Sequence, residues 1–321
     1  MEYGGDATLA FTPESIFNQC GINKRYIAEM EDTTRDLGNR AANLLFEEWR
    51  IDKSSIDYLI FVSDALEYKG PSTSALMQHD LGLEQHTATL DILQGCTGWV
   101  YGLSIAKALI LSGMAKNVLL ITGDVPSRVI HPIDIELSSI FSDAAAASLI
   151  SANELENGIN TAVGEFIFGT DGRGERHLFV ERSATKDPAD IAWLKQYENI
   201  PSGLGGGRLR MDSPKIFMFV IRRVPQLIKA VLEKHNLEAD EIDYFVFHQA
   251  NGTMLEFLRK RMKIPKEKFI ISIDHIGNTV SATIPITLRE MIEEEKIKKE
   301  QKILVAGFGI GFTWGATILT K

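Results

Sequence analysis

The chain has 321 residues, 45% of them hydrophobic and 24% charged, with a formal net charge of −9. This is an ordinary globular composition, long enough for one large core or two fused ones. The acidic balance argues against a nucleic-acid surface, which needs clustered Lys and Arg. The longest apolar runs are of strand length and too short to cross a bilayer. Two cysteines make no disulfide framework, so a reducing, cytoplasmic setting is expected. The amino end, MEYGGDATLAF, has neither a basic n-region nor an apolar h-region, and no secretory signal is expected.

In chain order, Ile56-Asp57-Tyr58 opens a first apolar strand over 58–62. A second strand over 87–92 leads into Gln94-Gly95-Cys96-Thr97-Gly98-Trp99, and a helix over 97–112 stops at Gly113 in a C-cap position. A thiol between a strand and a helix feels the positive end of the helix dipole, which is expected to lower its pKa. The flanking glycines let the backbone turn and a substrate approach. Cys96 is therefore the candidate nucleophile, whereas Cys20 reads as a small buried hydrophobe. Residues 98–111 are apolar on nearly every side, as a helix buried between two sheets should be.

The stretch 169–210 is different in texture. It contains Thr170-Asp171-Gly172-Arg173-Gly174 and Gly203-Leu204-Gly205-Gly206-Gly207 with little periodicity, and reads as an inserted surface excursion, either an active-site cover or a dimer element. Further on, the apolar strand 245–247 ends directly in His248. Ligands gather at the carboxyl ends of parallel strands, and a neutral imidazole there can accept a proton, donate one, or bond a developing oxyanion. Arg259-Lys260-Arg261-Met262-Lys263, with Lys266 and Lys268 beyond, reads either as a solvated helix end or as a docking patch for an acidic partner. After a last strand, Gly307-Phe308-Gly309-Ile310-Gly311 alternates glycines with no helix following. That pattern excludes a nucleotide loop and fits an oxyanion-hole loop.

The two ends of the chain repeat one another. Ile56-Asp57-Tyr58 returns as Ile242-Asp243-Tyr244, an offset of 186 residues. Gly95-Cys96 returns as Gly277-Asn278 at 182, and Lys116-Asn117-Val118 as Gln301-Lys302-Ile303 at 185. Each copy reads strand–helix–strand–helix–strand, which implies parallel sheets covered by helices. The expected organisation is an amino-terminal half over 1–165, a connecting segment over 166–215 and a carboxy-terminal half over 216–321, stacked as a five-layered αβαβα sandwich. Asn278 takes the place in the second copy that Cys96 holds in the first, so a pseudo-twofold axis would bring both to one cleft. Asn278 cannot titrate; its use is donation from the side-chain amide to an oxyanion.

With these residues in hand, the chain resembles the thiolase superfamily, specifically its β-ketoacyl-acyl carrier protein synthase III branch. The resemblance rests on Gly95-Cys96-Thr97-Gly98 with Tyr101-Gly102-Leu103, Ser142-Asp143-Ala144-Ala145-Ala146, His248-Gln249-Ala250-Asn251, Gly277-Asn278 and the terminal glycine loop around Gly309 and Gly311. It implies a thiolase-like α/β fold and a condensing enzyme. Cys96 would take an acyl primer from a thioester of coenzyme A or of acyl carrier protein, its oxyanion held by the N–H groups of Cys96 and Ile310. His248 and Asn278 would then stabilise the enolate formed as malonyl-acyl carrier protein loses carbon dioxide. The resemblance also implies a homodimer and no metal or nucleotide cofactor.

Departures from the family pattern carry their own expectations. Ser15 and Gln19 stand where the family places a Trp and an Arg that hold the adenine end of coenzyme A, and Thr253 stands where it has a docking Arg. Arg259, Lys260, Arg261 and Lys263 are the expected substitutes for that Arg. Gly70 replaces a bulky Phe that limits the partner subunit's primer pocket, so a primer larger than acetyl is expected. The amino end is short for the usual first strand. Competing readings are a papain-like protease, for which the cysteine count and duplication are wrong, an acyltransferase that passes the acyl group to O, N or S without decarboxylation, and a silent scaffold.

Overall fold

The computed structural model describes residues 12–131, 133–153, 161–195 and 207–321; the expectations for the short amino end and for Gly203 to Gly206 fall outside them. The first half contains α1 (Pro13–Cys20), α2 (Thr34–Trp49), β1 (Tyr58–Ser63), α3 (Thr73–Asp80), β2 (Ala88–Leu93), α4 (Gly98–Leu111), β3 (Asn117–Asp124), α5 (Ile135–Ile140) and β4 (Ala144–Ser151). The connecting stretch holds β5 (Ala162–Val163), β6 (Ile167–Thr170), β7 (Leu178–Glu181), α6 (Ile191–Lys195) and β8 (Arg208–Met211). The second half contributes α7 (Ser213–His235), β9 (Tyr244–Phe247), α8 (Gly252–Arg261), β10 (Phe269–Ile270), α9 (Thr283–Glu293), β11 (Lys302–Gly309) and β12 (Thr313–Thr320).

The duplication is visible strand by strand. One sheet has the order β2-β1-β3-β4 and the other runs β10-β9-β11-β12-β5. Tyr58 pairs with Val118 in the first, and Tyr244 with Ile303 in the second. The repeated aspartates explain why the Ile-Asp-Tyr motif is duplicated. Asp57 accepts from the backbone N–H of Asn117 at 2.9 Å and Asp243 from that of Lys302 at 2.8 Å, so each pins the start of one strand to the start of its neighbour. Helices α2 and α3 pack on the outer face of the first sheet and α7 on that of the second, while α4 touches both sheets from the middle layer. The five layers expected from the sequence are present.

Three details differ from expectation. The sheets are mixed, because β4 and β12 run antiparallel to β3 and β11. The turn between β11 and β12 is only three residues, and a return that short forces antiparallel pairing. Strand β5, inside the expected first half, pairs with β12 of the second sheet, as does β6. Finally, α4 is enclosed over Gly98, Trp99, Val100, Gly102, Leu103 and Ala106, but its last turn runs out past the layers and leaves Leu111 75% exposed.

Candidate active site

Cys96 sits in the turn between β2 and α4, closed by the Gly98 N–H donating to Gly95 O at 2.7 Å. Strand β11 runs directly against it. A Cβ on Gly309 would lie 2.6 Å from both Cβ and Sγ of Cys96, and one on Gly307 would lie 2.8 Å from Cα of Thr97. These glycines therefore belong to the strand, not to a loop, and they make room for the nucleophile itself. Gly311 is the turn residue, with φ +132, a conformation that side chains with a Cβ rarely adopt. Thr313 donates its hydroxyl hydrogen to Ile310 O at 2.8 Å, so the 2.9 Å contact between Thr97 and Thr313 is a bond donated by Thr97. The Ile310 carbonyl is thereby occupied, and the Ile310 N–H is close enough to the Cys96 thiol to favour its thiolate.

His248 ends β9, its N–H donating to Ala306 O at 2.8 Å, and its ring Nδ1 lies 2.7 Å from the Thr283 hydroxyl at the start of α9. Asn278 is held by the other half of the chain. Its N–H donates to Ile140 O at 2.9 Å, and the Ser142 N–H donates to Asn278 O at 2.8 Å. Val280 N–H donates to Asn278 Oδ1 at 2.9 Å, which turns the side-chain NH2 toward the cleft; one of its hydrogens goes to Ala250 O at 3.3 Å. The Ser142-Asp143 motif now has a physical role. Ser142 Oγ donates to Ile276 O and accepts from Tyr26 N–H, while Asp143 accepts from Ala28 and Ser127.

Cys96, His248 and Asn278 all open on one cavity of about 410 Å³. Its wall is mainly apolar, from Phe141, Ile216, Val220, Met254 and Phe308, and Gln19 and Glu136 stand toward α1 and α5. Leu178 and Met211, on the ribbon β7–β8, also line it. The connecting stretch thus contributes part of the cavity wall.

Burial decides the protonation of this site. Cys96 is 7% exposed, and its thiol is pushed up to about 12, first by burial and then by the carboxylates of Asp64 and Asp124; the Ile310 N–H opposes this only in part. The expected lowering by the helix dipole is overturned, since desolvation of a charged thiolate outweighs it. His248 is 1% exposed and is pushed down to about 3 by burial. At neutral pH both groups rest uncharged.

Asp124 was not singled out in the sequence. It accepts from the Ser63 hydroxyl at 3.3 Å, the Asp64 N–H at 2.8 Å, the Ser281 N–H at 3.1 Å and the Ser281 hydroxyl. It therefore ties the end of β3 to the segment that carries Asn278 and Thr283. Its burial and the neighbouring Asp64 raise its carboxyl to about 8.

The peripheral expectations fare unevenly. Arg259 is committed to its own helix end, with two bonds of 2.7 Å to Glu256 and one of 2.8 Å to Ile264 O, so it is no free docking cation. Lys260, Arg261 and Lys263 are exposed, as is Thr253. Ser15 caps α1, accepting from Thr12 N–H at 2.9 Å. Gly70 lies in an exposed loop where a Cβ would meet nothing. Among the described residues, no group of three His, Cys, Asp or Glu side chains stands together to hold a metal, and no helix is long and apolar enough to cross a membrane.

Comparison with known proteins agrees with this geometry. Residues 90–172 match the model of 3-oxoacyl-[acyl-carrier-protein (ACP)] synthase III, and residues 232–321 the model of its C-terminal part. The chain is 32% identical over 306 residues to the beta-ketoacyl-[acyl-carrier-protein] synthase III of Fusobacterium nucleatum, covering 95% of this chain and 89% of that protein. It is 35% identical over 304 residues to the one of Porphyra purpurea, again covering 95% and 89%. A crystal structure of a 3-oxoacyl-(acyl-carrier-protein) synthase III superposes with a TM-score of 0.88 at 34% identity, over 96% of this chain and 91% of the other. The chain belongs to the β-ketoacyl-[acyl-carrier-protein] synthase III family of thiolase-fold condensing enzymes.

Proposed function

We propose that Cys96 carries the acyl primer, that His248 and Asn278 serve both half-reactions, and that the primer is something other than acetyl-coenzyme A. The carrying observation is that these three side chains, from both halves of the duplication, open on one largely apolar cavity. A neutral thiol beside a neutral imidazole does not exist as a ready thiolate, so the proton leaves as attack proceeds. The S–H proton moves to His248, sulfur bonds the thioester carbon, and the N–H groups of Cys96 and Ile310 hold the oxygen. The C–S bond to the leaving thiol then breaks, and that sulfur takes the proton. In the second half-reaction the malonyl C–CO2 bond breaks, and its electrons pass to an enolate oxygen supported by the Asn278 amide and His248. The enolate carbon attacks the acyl carbonyl, Cys96 departs, and a solvent proton restores its thiol.

The donor reading is supported by the mouth of the cavity. Ser15 is engaged in a helix cap and Gln19 is uncharged, so neither offers the ring or the cation that would hold an adenine nucleotide. Arg261 and Lys263, at and just past the exposed end of α8, together with Lys260, which pairs at 3.4 Å with Glu256 but stays exposed, are proposed to dock an acidic carrier protein. A homodimer is supported by β2, which is the edge strand of its sheet among the described residues and ends in Leu93 at 69% exposure. With Gly70 on the partner's loop, the primer pocket has room for more than an acetyl group. A cytoplasmic setting fits two unpaired cysteines. Intact mass spectrometry after exposure to a panel of acyl thioesters tests the reading. We expect an added mass that vanishes in Cys96→Ala and is formed fastest from a longer or carrier-bound primer. Fastest loading from acetyl-coenzyme A would refute the donor reading, and loading that survives in Cys96→Ala would refute the nucleophile.

A further inference from the structure

We propose that Thr283 is a positioning residue that sets the tautomer of His248 for the acylation half-reaction, an assignment that rests on the reading of Cys96 and His248 given above. Thr283 is 3% exposed, and its Oγ1 has two polar neighbours, His248 Nδ1 at 2.7 Å and Val280 O at 3.2 Å. The hydroxyl has one hydrogen to give. With a hydrogen on Nδ1, the ring donates to Oγ1 and the hydroxyl donates to Val280 O, and both bonds are made. With Nδ1 bare, the hydroxyl must turn from the carbonyl to the ring, and one of the two bonds is lost. The arrangement that makes more bonds in this buried spot puts the hydrogen on Nδ1.

The other ring nitrogen then presents a lone pair. Nε2 has no hydrogen-bond partner among the described residues, and His248 opens on the cavity that also holds Cys96. A lone pair is what the thiol proton needs. During acylation the S–H bond breaks toward Nε2, the sulfur–carbon bond forms, the bond to the leaving sulfur breaks, and the proton passes from Nε2 to that sulfur. Nδ1 keeps its hydrogen throughout, held by Thr283. The condensation step asks Nε2 for a hydrogen instead, and the same hydroxyl satisfies that tautomer by turning to Nδ1.

Thr283→Val keeps the shape and removes the hydroxyl. A hydrogen on Nδ1 would then be buried without a partner, so the ring moves it to Nε2, which faces the cavity. That tautomer donates and does not accept. Acylation of Cys96, followed by mass spectrometry, should slow by about 10- to 100-fold, the usual range for stranding one buried polar hydrogen. Condensation should stay within about threefold of wild type when the variant is first acylated by long exposure and then given a malonyl-carrier thioester. Thr283→Ser should restore acylation. A Thr283→Val enzyme that acylates as fast as wild type overturns the proposal alone. So does one in which both half-reactions fall together and Thr283→Ser fails to rescue, since that is the mark of a merely structural role. A wild-type chain that no thioester acylates overturns the functional reading and this proposal with it.

Discussion

Gly309→Ala is the sharpest perturbation the site offers. The added Cβ would stand 2.6 Å from Cys96 Cβ and Sγ, where carbon contacts normally settle near ~3.6 Å. About 1 Å must therefore be found. Cys96 is nearly buried against β11, and β11 is paired on both sides by β9 and β12, so neither yields freely. Overpacking of this kind costs about 1–3 kcal/mol of stability. A misplacement of about 1 Å at a nucleophile costs about 100-fold in rate, or about 2.7 kcal/mol in the barrier. The assay pairs thermal unfolding with the rate of Cys96 acylation, and the larger loss should be in the rate. Wild-type acylation in a folded Gly309→Ala protein would refute the claim that β11 fixes the thiol.

Two further outcomes follow from buried charge. Because the Cys96 thiol is pushed up to about 12, its alkylation by iodoacetamide should keep accelerating with pH through 8 to 10; a plateau near 8.5 would mean an ordinary thiol. The same shift costs stability in alkali, since the unfolded thiol ionises near ~8.5 while the folded one does not. His248 acts at the other end. Its folded pKa of about 3 lies below the unfolded ~6.5, so the unfolded state binds more protons and stability falls as pH drops from 6.5 toward 3. A flat unfolding midpoint between pH 7 and 4.5 would contradict this. Asp124→Ala strands two backbone N–H groups and the Ser63 and Ser281 hydroxyls at the seam between the halves. We expect about 3 kcal/mol of lost stability in denaturant unfolding; a loss under about 1 kcal/mol would leave the seam to other contacts.

The layering was legible because the duplication preserves residues with structural work to do. Asp57 and Asp243 recur since each accepts the backbone N–H that opens its neighbouring strand. Cys96 and Asn278 were legible through the same duplication, although the equivalence of strand ends is loose: Cys96 follows β2 by three residues, whereas Asn278 follows the two-residue β10 by eight, past a 3-10 turn over Ile273–His275. What sequence hid was three-dimensional crowding. Nothing in Gly-Phe-Gly tells that the second glycine faces a sulfur in another half of the chain, so Gly309 read as a carbonyl-binding loop. The thiol pKa was misjudged because the helix end is local and visible, whereas burial and the Asp64 and Asp124 charges come from elsewhere in the fold. Leu178 and Met211 were invisible as cavity wall, being ordinary apolar residues in an aperiodic stretch. Thr283, five residues past Asn278, carried no signal of its own, since its helix holds Thr287 as well and nothing local tells which hydroxyl meets the His248 ring. Arg259 shows the reverse error, a cation legible in sequence but spent on its own helix.

The central claim is that acyl-Cys96 is consumed by a decarboxylating carbon nucleophile. Protein acylated on Cys96 should be mixed with malonyl-carrier thioester labelled at the free carboxyl, and released label counted against acyl mass lost from the protein. One labelled carbon dioxide per acyl group, with a β-ketoacyl thioester two carbons longer than the primer, is the predicted result. Loss of the acyl group without label release, or label release while Cys96 stays acylated, would contradict the account.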